Sequence, residues 1–243
     1  MVSKNKLKEL ASYRQQKRCD EEAVFVVEGP KMAAEAMASG FAIRTVCATA
    51  EWLSAHDADL VADEHFEVSP AELERLSNFK TPNQVWMLVE RNSAFTIQHS
   101  TLTLALDHLQ DPGNMGTLMR TADWFGVRHI VCSPDTVSCF NPKVIQASMG
   151  AIFRTQVDYV DLPQWLASCG QPVYGASLQG RPLAEVTMPE AESVLLIGNE
   201  SRGISPEAMA SVTHPVLIPN LGGTAESLNA SVAAGILINA FTR

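Results

Sequence analysis

Six short apolar runs recur through the second half of the chain, at Leu102–Leu106, His129–Cys132, Gln156–Val160, Val173–Ala176, Val194–Ile197 and Pro215–Ile218, with helical patterns between most of them. An unalternating run of four or five apolar residues is what a strand buried on both faces requires, and parallel strands need a long crossover to bring the chain back. The pattern predicts an α/β fold built on a mostly parallel sheet with helices on both faces. Ligands in such sheets collect outside the carboxyl ends of the strands. Unusual polar residues and glycines at those ends are therefore the first candidates for function.

The first half alternates less regularly. A basic helical start precedes a strand at Ala23–Glu28, a helix from Pro30 to Ser39, a strand at Ile43–Ala48, a helix at Pro70–Ser77 and a strand at Val85–Val89. Ser69 looks like an N-cap, with Pro70 at the first helical position. Arg91–Ser100 is polar and weakly patterned, which suits a linker; a boundary near residue 98 divides the 243 residues into domains 1–98 and 99–243.

Composition excludes several classes. No apolar run approaches the roughly 18 uncharged residues of a membrane span, and the first thirty residues lack the apolar stretch of a signal peptide, so a cytoplasmic protein is expected. Cys19, Cys47, Cys132, Cys139 and Cys169 form no C-x-x-C pair, which argues against a disulfide framework and against zinc; no metal site is expected. The net charge of −9 counts against a nucleic-acid partner, but its distribution does not: residues 1–18 carry +5 and the remainder −14. That is either a basic arm on an acidic body or a solvated helix.

Three strand ends hold the unusual residues. After Leu106, the segment Asp107-His-Leu-Gln-Asp111-Pro112-Gly113-Asn114 turns into a helix in which Met115, Leu118, Met119, Ala122 and Phe125 form a core stripe. Asn114 is placed to cap that helix, and at about 100° per residue Arg120 points opposite the stripe, toward solvent or a ligand. After Ile197 come Gly198, Asn199 and Glu200; Gly198 has no Cβ to obstruct close approach of a ligand, and Glu200 sits at the rim or in a solvated loop. After Ile218 come Leu221, Gly222 and Gly223, whose backbone amides can wrap a small molecule, followed by Ser227, a possible N-cap, then Leu228 and Asn229 on the last helix. Leu228, Val232 and Ile236, spaced four apart, put one face of that helix in the core or in an interface.

Taken in order, Asn114-x-Gly116-x-x-x-Arg120-Thr-Ala, Gly198-Asn-Glu200-x-x-Gly203, and Ile218-Pro219 through Ser227-Leu-Asn229-x-Ser231-Val-Ala resemble the three motifs of the SpoU (TrmH-type) class of SPOUT RNA 2′-O-ribose methyltransferases. Asn141-Pro-Lys143-x-x-x-Ala147-Ser148-Met-Gly150 resembles the family's segment between the first two motifs, with Gln146 where many relatives place an arginine. Ser3-Lys-Asn5, Phe25-Val-Val-Glu28-Gly29 and Lys80-Thr81-Pro82 resemble the ribosomal-protein-like RNA-binding domain that many members carry, although Asn83-Gln84 departs from its usual Gln-Gly.

The resemblance implies a C-terminal domain whose sheet threads a trefoil knot and a cofactor, S-adenosyl-L-methionine, held by Gly198, Asn199, Ile218, Leu221, Gly223 and Leu228. It also implies a homodimer formed through the catalytic domain, and RNA as substrate, ribosomal RNA ahead of transfer RNA. Asn114, Arg120, Glu200, Ser227 and Asn229 are the implied catalytic set. The motifs contain no histidine, the usual general base, and arginine is a poor base at a reference pKa of roughly 12.5. Arg120 is accordingly expected to bind the phosphate beside the target ribose, with Glu200 aiming Arg120 or another cation and Asn114 orienting the hydroxyl or phosphate. Two rivals remain. A nucleotide-dependent oxidoreductase would need a G-x-G-x-x-G or P-loop, which the chain lacks; a noncatalytic RNA-binding protein of the same fold would lack methyl transfer.

Overall fold

The computed structural model describes residues 2–91, 100–189 and 191–242, so the expected boundary near residue 98 lies outside the described residues. They form two compact units, one comprising residues 2–91 and 140–153 and the other 100–139 and 154–242.

In the first unit α1 (Lys4–Ala11), α2 (Gln16–Glu21), β1 (Val24–Glu28), α3 (Pro30–Ala38), β2 (Ile43–Ala48), α4 (Ala50–His56), β3 (Glu64–Glu67), α5 (Pro70–Leu76) and β4 (Val85–Glu90) follow in order. They build a mixed sheet, β1-β4-β2-β3, with only the β2–β3 pair parallel. The basic start is not a free arm, since Leu7 and Leu10 of α1 are buried in a core with Leu73, Leu76, Trp86 and Leu88. α5 begins at the N-cap expected at Ser69, which forms a full capping box: its Oγ accepts from the Glu72 amide while the Glu72 carboxylate accepts from the Ser69 amide. α4 and β3 were not legible in the sequence. The segment containing α7 (Pro142–Ser148) packs on β1, where Phe25 meets Phe140 at 5.2 Å and Phe41 meets Phe153 edge-on at 5.2 Å, contacts each contributing about 0.5–1.5 kcal/mol beyond burial.

The second unit contains β5 (Leu102–Leu106), α6 (Pro112–Trp124), β6 (His129–Cys132), β7 (Gln156–Tyr159), α8 (Leu162–Ser168), β8 (Val173–Pro182), β9 (Ser193–Ile197), α9 (Pro206–Met209), β10 (His214–Leu217) and α10 (Ala230–Phe241). All six strands pair in parallel in the order β10-β8-β9-β5-β6-β7. Each predicted run lies in a strand, and the ends differ by at most a residue or two except in β8. That strand continues to Pro182, and its pairing with β10 jumps from Gly175 opposite Pro215 to Arg181 opposite Val216. Residues 176–180 leave the ladder between those two pairs and open a cleft beside it. Among the described residues no helix is long and apolar enough to cross a membrane. Cys19, Cys47, Cys132 and Cys139 are buried, and burial pushes the thiols of Cys19 and Cys47 up to about 11 and about 12, so both stay protonated and inert.

The jump in β8 depends on Gly180, because a Cβ there would stand 2.5 Å from the Val216 nitrogen and 2.6 Å from the Pro215 carbonyl carbon. Backbone cannot withdraw as a flexible side chain can. Gly180→Ala is expected to destabilise the protein by about 1–3 kcal/mol; an unchanged urea midpoint would show that the two strands do not approach this closely. In the first unit, burial raises the Glu28 carboxyl above its ordinary value, against hydrogen bonds from Ser77 Oγ and from the backbone and side chain of Asn78. The folded state then holds this proton more tightly than the unfolded chain, so the contribution of Glu28 is full below the unfolded carboxyl pKa of about 4.3 and is lost as pH rises through the folded value. Relative to the natural chain, Glu28→Gln should gain stability between roughly pH 4 and pH 7. Denaturant titrations showing the same gap at both ends would contradict it.

Candidate active site

The first strand end is fixed by a buried carboxylate. Asp107, directly after β5, accepts from the Ser205 amide at 2.7 Å, tying this loop to the one after β9. His108 beside it adopts a left-handed backbone (φ 55°); its amide donates to Ser133 Oγ at 2.8 Å and its carbonyl accepts from Asn199 Nδ2 at 2.8 Å. Its ring lies between the carboxylates of Asp107 and Asp135, at 3.4 and 3.5 Å.

Asn114 does not cap α6. Asp111 does, accepting from the Asn114 amide at 2.7 Å, with Pro112 at the first helical position. The Asn114 side chain is thereby released for longer contacts. Its Nδ2 donates to Glu200 Oε1 at 2.7 Å, and its Oδ1 accepts from Asn229 Nδ2 at 2.9 Å. Ser231 Oγ donates to Asn229 Oδ1 at 2.6 Å and lies 3.4 Å from Asn114 Oδ1. All three strand ends therefore meet at one carboxamide. Asn229 is not inside the last helix but is its N-cap, accepting from the amides of Ser231 and Val232, so Ser227 has no capping duty there.

Glu200 is engaged by Asn114, and among the described residues it forms no ion pair with Arg120. Met115, Leu118, Met119 and Ala122 are buried as the stripe predicts, Phe125 is half-buried, and Arg120 is exposed opposite them without an ion-pair partner among the described residues.

The glycines of the second and third strand ends carry structural duties of their own. A Cβ on Gly198 would meet the carbonyl carbon of Gly203 and the nitrogen of Ile204 at 2.2 Å. Glycine is required there because the loop folds back on itself, with Asn199 and Gly203 exchanging backbone hydrogen bonds of 2.9 Å. Asn199 Oδ1 is likewise used internally, by the amides of Ser201 and Arg202. The amides of Gly222 and Gly223 are also occupied, both donating to Asn220 Oδ1 at 3.0 and 2.7 Å, while Asn220 Nδ2 donates to the carbonyls of Gly223 and Ala225. Asn220, overlooked in the sequence, is the organiser of this loop; an asparagine two residues before paired glycines is a turn signal that could have exposed it.

The cleft opened by the jump in β8 has a volume of about 430 Å³, within the usual range for small-molecule sites. Ile218, Leu221, Gly223, Ser227 and Leu228 line it, together with Leu178 and Glu226; Gly198 and Asn199 do not. Its walls are mainly apolar, and Gly223 contributes no side chain. A carboxylate at the margin suits a ligand bearing positive charge. An apolar slot with an acidic group fits a cofactor that joins a flat aromatic base to cationic sulfonium and ammonium centres.

Residues 101–239 match the SpoU rRNA Methylase family, and residues 4–86 match the MRM3-like substrate binding domain. The 23S rRNA (guanosine(2553)-2′-O)-methyltransferase RlmP of Bacillus subtilis is 31% identical over 219 residues, spanning 88% of this chain and 86% of RlmP. Among solved structures, a TrmH family protein from Porphyromonas gingivalis superposes with a TM-score of 0.88 at 38% identity, covering 99% of this chain and 98% of that one. The AdoMet-bound rRNA methyltransferase from Sinorhizobium meliloti gives a TM-score of 0.83 at 26% identity, covering 99% and 96%. With its motif residues gathered at three strand ends of a parallel sheet, this chain belongs to the SpoU rRNA methylase family.

Proposed function

We propose that the protein is a cytoplasmic methyltransferase that transfers a methyl group from S-adenosylmethionine to a ribose 2′-hydroxyl of ribosomal RNA. The observation that carries this reading is the convergence of Asn114, Glu200 and Asn229 on one hydrogen-bonded cluster, with residues of the third motif lining a cleft of cofactor size. Relatives named as rRNA 2′-O-methyltransferases support the ribose and the class of RNA. The match of residues 4–86 to a substrate binding domain supports an RNA-holding role for the N-terminal half.

Ile218, Leu221, Gly223 and Leu228 would hold the cofactor, with Glu226 facing its cationic part. S-Adenosylmethionine, when bound, supplies an electrophilic methyl on a sulfonium. What this chain contributes is largely position, since aligning an attacking hydroxyl at about 3–3.5 Å yields much of the available acceleration. The exposed guanidinium of Arg120 takes the phosphate beside the target ribose in a forked, charge-assisted contact and offsets charge developing on the oxygen. Asn114, fixed at both ends of its amide, orients that hydroxyl or phosphate, and Glu200 and Asn229 keep Asn114 in a single rotamer. Ser227 shapes the wall of the cleft.

A homodimer formed through the catalytic domain belongs to the same proposal. α10 buries Ala230, Ala234, Leu237, Ile238 and Phe241 against its own unit, yet Val232 and Ile236 remain 51% and 38% exposed on another face, and Leu228, just ahead of the N-cap, is 47% exposed. The face anticipated as core or interface is not core in this chain, and a second copy is the proposed cover.

Arg120→Ala is expected to lower methyl transfer into ribosomal RNA by at least about a hundredfold, the scale on which a single preorganised charge contact acts, while calorimetric binding of S-adenosylmethionine stays near that of the natural chain. Transfer at the natural rate would refute the assigned role. Val232→Asp is expected to reduce the mass measured by sedimentation from dimer to monomer, and a mass unaffected by the substitution would remove α10 from the interface.

A further inference from the structure

α6 presents one face that the proposed chemistry does not use up. Trp124, one turn beyond Arg120, is 84% exposed and has no ring partner among the described residues. An indole carries about 150–250 Å² of surface suited to stacking, and leaving it in water at the end of a helix whose opposite side is fully packed calls for a partner. Around the helix, Trp124 lies between Thr121, on the side of α6 that faces Gly235 of α10, and Asp123. Asp123 accepts from Arg154 Nε at 2.9 Å and from Arg128 Nη1. Asp123 thus holds two arginines, Arg128 and Arg154, near the end of the helix that carries the exposed Arg120, on a chain whose net charge is −9.

Charge decides what covers the indole. Tryptophan and arginine are also common where proteins meet, but the apolar face of α10 is the surface that suits a second copy, and the exposed Arg120 one turn from this ring carries the charge that meets a phosphate. An exposed aromatic ring one helical turn from an exposed arginine is how single-stranded RNA is held: a phosphate meets the cation and an unstacked base lies on the ring. We propose that Trp124 is a stacking platform for an unpaired base of the RNA substrate, one helical turn from the Arg120 guanidinium that takes a phosphate. The inference rests on the RNA methyltransferase reading and adds to it that the substrate is engaged in single-stranded form along the outer face of α6.

The test compares the natural chain with Trp124→Ala and Trp124→Phe, using a fluorescein-labelled single-stranded RNA oligonucleotide of mixed sequence followed by anisotropy. Loss of one stacked base should weaken binding about tenfold in the alanine variant, while the phenylalanine variant keeps affinity within about threefold. RNA should also quench tryptophan emission of the natural chain more than that of Trp124→Phe, because Trp52 and Trp86 are buried and Trp165 is half-buried. Equal RNA affinity of the natural chain and Trp124→Ala would overturn the proposal. So would a fall in sedimentation mass for Trp124→Ala, whatever its RNA affinity, since the ring would then belong to the contact between copies. S-Adenosylmethionine binding, measured alongside, separates this from the broader reading: a natural chain that binds no cofactor refutes the methyltransferase, whereas cofactor binding with unaltered RNA affinity in the alanine variant refutes only the platform.

Discussion

The site hangs on one carboxamide. Asn114 donates through its nitrogen to Glu200 and accepts through its oxygen from Asn229, partners 86 and 115 residues away in sequence. No other side chain of that length both gives and takes a hydrogen bond from a planar fork, so aspartate or leucine would break one arm or both. What frees the carboxamide is a separate residue: Asp111 takes the capping position, accepting from the backbone amide of Asn114. The division of labour is economical in backbone terms, because α6 begins with Asp-Pro, which sets its first turn and leaves the next polar residue free to face the pocket.

The loops that meet there are rigid for internal reasons. Asp107 fastens the loop after β9 through Ser205, Asn199 folds its own turn and reaches the carbonyl of His108, and Asn220 fills four hydrogen-bonding positions of the loop after β10. Each of these polar groups is spent on architecture. Gly198 and Asn199, which the motif match assigns to ligand binding, also shape the loop itself. The polar groups that hold a site together and those that touch its ligand can be neighbours in sequence while doing different jobs.

Much of this was legible beforehand because buried parallel strands leave an unbroken apolar trace. The runs of β5, β6, β9 and the start of β8 carry that trace, the edge strands β7 and β10 only in part, and the exposed position of Arg120 follows from helix period alone. β3 left none: Glu64-His-Phe-Glu67 is an edge strand with alternating exposure and acidic ends. The cap of α6 follows a local rule, since a cap-type residue immediately before proline at the first helical position marks Asp111 as it marks Ser69. The cap of α10 follows none, because nothing beside Asn229, with Leu228 before it and Ala230 after, signals a helix start. The departure of residues 176–180 from the ladder could not be seen, because it depends on a close approach to Val216 from another strand.

That departure separates two demands that usually conflict. Residues in a buried ladder are constrained twice, by pairing and by packing, so a change made to suit a ligand risks the sheet. Ala176, Ser177 and Leu178 form a wall of the cleft while standing outside the ladder between β8 and β10. Substitutions there alter the shape of the pocket without touching a rung of the sheet, whereas Gly180 beside them has no such latitude. The fold thus carries an adjustable wall hinged on a fixed residue, a place where recognition can drift while the scaffold stays put.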